Sequence, residues 1–182
     1  MNKFIPEQPS EAVKVPFFDD VNLKDGWQGH TTTKSIDTLK SEIAKSISRI
    51  GGIVSGFQHG IFMIGDRKRE GYQIHYAINS ENGSIVPGRL DIAALPVKET
   101  RRSYKIINKK REASLRMALY MIRNAIDGLW FLQQLSPGYA PLMPWMLAKG
   151  GKTISQLWAE SSVMNKLLPP GESDFIEGEI VE

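Results

Sequence analysis

Residues 101–135 read RRSYKIINKKREASLRMALYMIRNAIDGLWFLQQL, and this stretch decides the fold. Leu115, Ala118, Leu119, Ile122, Ile126 and Leu129 recur at steps of three and four. That spacing draws one apolar stripe along a helix of ~3.6 residues per turn. Arg116, Tyr120, Arg123 and Asp127 share the spacing on another face, and the N-terminal end is basic. The pattern predicts a long helix that starts between Ser103 and Asn108 and runs to Gln134. Ser136-Pro137-Gly138 then breaks it, because proline lacks the amide a helix needs and glycine releases the backbone.

Upstream, Ile36, Leu39, Ile43, Ile47 and Ile50 form a second helical stripe, with caps available from Thr31, Thr32, Thr33 or Ser35. Gly51-Gly52 ends that helix, since glycine accepts the left-handed cap conformation at little cost. Short β-rich runs follow at 53–57 and 60–64, then a polar turn over 66–71. Residues 72–78 alternate between two faces, as a half-buried strand does, and Asn82-Gly83 marks the next turn. A third long strand is predicted over 89–95, bracketed by Pro87 and Pro96.

Downstream, 142–147 suggests a short helix with Trp145 and Met146 turned inward, and Gly150-Gly151 a turn. Thr153 caps a last helix from Ile154 to about Lys166, and Leu167-Leu168-Pro169-Pro170-Gly171 ends the body. Pro6, Pro9 and Pro16 prevent regular helix near the start, where Phe17, Phe18 and Trp27 are apolar anchors. The expected architecture is α+β: an N-terminal helix, an antiparallel meander of three to four strands, a long helix on one sheet face and a small C-terminal helical appendix. Its expected division is an extended arm over 1–30, one domain over 31–170 and an acidic flexible tail over 171–182.

The order helix, three strands, helix is similar to that of the double-stranded-RNA-binding domain. Three further runs carry a more local resemblance: 110–119 (KREASLRMAL), 151–158 (GKTISQLW) and 167–171 (LLPPG). Together they resemble a family of small proteins encoded by phages and prophages, over roughly residues 35–171. That resemblance implies a mobile-element context and no particular chemistry. The 66–70 loop and the 137–145 connection depart from the pattern.

Composition excludes several classes. With 182 residues and no cysteine, the chain can bury a core, but has neither disulfides nor thiolate metal sites. It opens without the apolar core of a signal peptide, and no run reaches the ~20 apolar residues of a membrane span. A cytoplasmic protein with no membrane partner is expected. The net charge is +3, but Glu172, Asp174, Glu177, Glu179 and Glu182 crowd the last eleven residues, and removing these five acids leaves +8. A basic body with an acidic-hydrophobic tail suggests a polyanion partner, DNA or RNA, and a tail over 172–182 suited to a protein partner. Self-association is left open.

Enzyme signatures are missing. His30, His59 and His75 do not take the i, i+4 spacing of a helical zinc site, although His59 and His75 could meet across strands. Gly151-Lys152-Thr153 is not a phosphate loop, because Trp145 occupies the place of its first glycine. Lys98-Glu99-Thr100-Arg101 places no lysine where a metal nuclease needs one, and no Gly-x-Ser-x-Gly elbow occurs. The reading is of a non-enzyme without cofactor or metal.

The basic cluster remains: Lys98, Arg101, Arg102, Lys105, Lys109, Lys110, Arg111 and Arg116, with Tyr104 among them. Within this segment it faces Glu99 and Glu112. Guanidinium forks match phosphate oxygens, lysines add charge, and a tyrosine can stack on a base. Arg67, Lys68 and Arg69 are expected to add a second basic point at the rim of the sheet.

Overall fold

The computed structural model describes residues 15–64, 67–79, 83–99 and 103–160. Helix α1 spans Ile36–Arg49, and the Ser35 hydroxyl caps it by accepting from the Thr38 amide at 3.1 Å. Three antiparallel strands follow, β1 (Gly52–Ile64), β2 (Arg67–Asn79) and β3 (Ile85–Ala93), in the order β1-β2-β3. Helix α2 covers Tyr104–Leu135, and α3 covers Ile154–Glu160. This is the α+β arrangement that the stripes and alternation predict.

Both helices lie on one sheet face. Tyr72, Ile74 and Tyr76 of β2, with Leu90 and Ile92 of β3, meet Leu39, Ile43 and Ile47 of α1 and Leu115, Leu119 and Ile126 of α2 in one core. The helices join through their polar faces as well. Asp127 accepts from the buried Ser46 hydroxyl at 2.7 Å and is paired with Arg49 and Arg123, while Arg123 also approaches Glu42. Burial of Tyr76 raises its hydroxyl well above the usual tyrosine range, and that hydroxyl donates to the Leu142 carbonyl at 3.2 Å. Gly88 must lack a side chain, since a Cβ there would stand 2.2 Å from the Tyr76 ring.

Several local expectations change. The runs 53–57 and 60–64 are one continuous strand, with an irregularity between Val54 and Gly56. Residues 67–71 are not a turn, because Gly60 to Ile64 pair with them in the β1–β2 ladder. Strand β3 begins at Ile85 and contains Pro87, at a sheet edge where a proline can be tolerated. His75 lies opposite Gly56 and His59 opposite Tyr72, so the two histidines do not meet. The 142–147 helix is a single 3-10 turn at Met143–Trp145. Met146 then bridges to Gly88 and Leu147 to Thr153. The end expected for the last helix, and the tail, lie outside the described residues. Among the described residues no helix is long and apolar enough to cross a membrane.

A smaller core forms where residues 17–27 fold back on the body. Phe18 and Val21 pack with Leu95 and Met117, and Trp27 lies against them. The Phe18 amide donates to the Pro96 carbonyl at 2.8 Å. These contacts hold the 94–99 connector that leads from β3 into α2.

Candidate nucleic-acid interface

The β1–β2 hairpin extends past the end of β3, which stops at Ala93 opposite Gly71. Its far half therefore projects, leaving Ile61 63% and Met63 64% exposed. Facing it is the N-terminal end of α2. Between them lie two adjoining depressions that share Glu70 and Arg111. One, of about 260 Å3, is lined by Ile61, Lys68, Glu70, Val97, Glu99 and Arg111, among others. The other, of about 430 Å3, is lined by Ile36, His59, Tyr72, Tyr104, Asn108 and Glu112, among others.

The cations around this cleft divide into two sets. Lys98 pairs with Asp20 and Lys110 with Asp19, both acids coming from the first described turn. Asp19 also accepts the Lys98 backbone amide at 3.0 Å, and Asp20 pairs with the Lys98 ammonium. Arg111 pairs with Glu99, and Arg116 with Glu112 at 2.8 Å. Arg69 spends its fork on the Ala94 and Ala93 carbonyls, at 2.7 and 2.8 Å. Burial, then the charge of Arg67, lowers the Arg69 pKa. Arg67 donates to the Val15 carbonyl at 3.0 Å and lies over the Phe17 ring, which Lys98 also approaches. These side chains hold the arm, the connector and the helix together.

The second set is free. Lys68, Lys105 and Lys109 make no ion pair among the described residues. Tyr104 stands 75% exposed, beside Lys105. Lys105 and Lys109 are four residues apart, on one helix face. The Ser103 side chain makes no capping bond and the first turn of α2 contains no acid. Unbonded amides and the positive end of the helix dipole thus coincide with free ammonium groups. Cations there repel the dipole, and an anion would relieve both. Arg101 and Arg102, immediately before, lie outside the described residues.

Asp19 and Asp20 lie outside the segment that carries the basic cluster. They sit about eighty to ninety residues from the lysines they neutralise, and local sequence gives no signal for such a pairing. A third depression, of about 530 Å3, lies between β3 and α2 and is mainly apolar, with Trp27, Ile92, Met117, Met121 and Ile122 in its lining. Its one cation, Arg69, is occupied with carbonyls. Comparison of the chain with protein-family models, curated proteins and solved structures returns no match.

Proposed function

We propose that this chain is a nucleic-acid-binding accessory protein of a phage or other mobile element, acting in recombination, annealing or replication without catalysis of its own. The observation that carries the reading is Lys105 and Lys109 beside exposed Tyr104, without ion pairs among the described residues, at an uncapped helix start that faces the projecting hairpin, where Lys68 lines the adjoining depression. Ammonium groups and helix amides would take the phosphates, and the tyrosine ring would stack on a base. The mobile-element context rests on the resemblance of 110–119, 151–158 and 167–171. A gel-shift panel over single-stranded DNA, duplex DNA and RNA, repeated across a salt series, tests it. Binding that weakens with salt supports the proposal, because phosphate contacts release counterions. No binding to any of the three at low salt would sink it.

A second reading is a protein-interaction adaptor or inhibitor. It is favoured by the apolar end of α2, where Phe131 and Leu135 are exposed.

A further inference from the structure

We infer that β1 is a self-association edge: two copies of this chain pair β1 to β1, antiparallel, extending the sheet across a twofold axis. The argument starts from what the strand lacks. Its 13 residues contain no Asp, Glu, Lys, Arg or Pro. It is an outer strand of the sheet. Among the described residues none of its backbone groups bonds outside the β1–β2 ladder. Isolated proteins usually blunt such an edge with charge, proline, a bulge or a cover, because an open ladder templates another strand. Here the one irregularity sits between Val54 and Gly56, and 57–64 runs regularly against 67–74.

The opposite edge shows these devices in place. Strand β3 contains Pro87, Arg89 and Asp91, is bridged by Met146, and accepts the Leu147 amide at the Pro87 carbonyl at 2.9 Å. One edge is closed and charged; the other is bare among the described residues. On the bare edge Ile53, Ile61, Met63 and Ile64 are exposed.

A second copy is the occupant that matches this chemistry. Antiparallel self-pairing sets an uncharged strand against an identical one, so no like charges face each other. The chain's own segments outside the described residues match less well. The last eleven residues hold five acids, which find no cation on β1. Residues 1–14 contain Pro6 and Pro9, and 161–171 contains Pro169 and Pro170, all unable to donate to a ladder. At ~3.3 Å per residue the edge runs about 40 Å, and a layer about 10 Å thick gives roughly 400 Å2 per copy. Twice that falls below the ~1,200–2,000 Å2 of a standard interface, so the dimer should be reversible.

Sedimentation velocity of the full chain, from low-micromolar to several-hundred-micromolar concentration, tests this. The wild type should pass from monomer to dimer. Gln58→Lys with Met63→Lys places charge on both faces of the edge, at exposed residues that do not line the cleft. This variant should dissociate about tenfold or more readily, with its melting temperature unchanged. Hydrogen exchange on the wild type needs no variant, and β1 amides should slow as concentration rises. Because the chain has no cysteine, Gln58→Cys gives one thiol per copy, and a short bis-maleimide should join two copies. A monomer at every concentration overturns the inference. So do β1 amides protected equally at all concentrations, which would assign the edge to a segment of this chain. A dimer indifferent to both lysines overturns it as well.

Discussion

Lys109 and Lys110 are adjacent in sequence and opposite in circumstance. Lys110 reaches Asp19, whose side chain is 6% exposed, while Lys109 points to solvent without an ion pair among the described residues. Helix geometry explains the split, since neighbouring residues stand about 100° apart around the axis. The buried carboxylate is the critical partner, because it also accepts the Lys98 amide. Asp19→Asn keeps the size but removes the charge, and weakens its bonds to the Lys98 amide and the Lys110 ammonium. A loss of about 1–3 kcal/mol of stability is expected, read by urea unfolding. Unchanged stability would mean that the arm is held by its other contacts, the Phe18–Val21 packing and the Asp20 and Arg67 bonds. The residue types at this site were legible in sequence; their allocation was not. Lys98, Lys110, Arg111 and Arg116 look like four more phosphate ligands until the chain folds and brings them to acids.

At the scale of elements, α2 behaves as its periodicity requires. Leu119 and Ile126 are fully or almost fully buried, while Ile122 is only partly covered. Leu119→Ala should cost about 2–5 kcal/mol. Ile122→Ala should cost visibly less, and thermal melting of the two variants checks the order. An equal loss would mean that Ile122 is covered in solution. The sheet was less legible. The basic run 67–69 resembles a turn in composition, but Phe62, Met63 and Ile64 pull it into a ladder whose hydrogen bonds outweigh local preference. For the same reason the two short apolar runs merge into β1.

Tyr76 ties the sheet to the segment after α2, and its environment gives that link a pH dependence. Burial favours its neutral form, so its contribution is complete below the ordinary tyrosine value of 10.0. It is lost as pH rises above that value, because the unfolded chain then releases the proton more readily. Wild-type stability should therefore fall on the alkaline side. Tyr76→Phe should start about 0.5–1.5 kcal/mol lower, for the lost bond to Leu142, and lack that part of the fall. Urea midpoints on either side of the tyrosine value measure this, and parallel curves for the two proteins would exclude the residue as the source.

Among the described residues the molecule is a sheet with one face covered by two helices, one edge closed, one edge bare, and a helix start that presents cations without ion pairs. The fold class followed from periodicity, because stripes and alternation depend only on which residues seek the core. What depends on distant partners did not follow: Asp19 and Asp20, which neutralise Lys110 and Lys98 of the basic cluster, the arm that holds the connector, and the projection of the hairpin. The net positive charge of the body was legible, but its usable part is smaller than the sequence suggests. The measurement that bears most directly on this account is the salt dependence of affinity for single-stranded DNA, compared among wild type, Lys109→Ala and Lys110→Ala. Lys109→Ala should weaken binding and reduce the slope of log affinity against log salt by about 0.7, as for one lost phosphate contact. Lys110→Ala should keep the slope and lower the melting temperature. Equal slopes for wild type and Lys109→Ala, with a reduced slope for Lys110→Ala, would contradict the division of these cations into a structural set and a binding set.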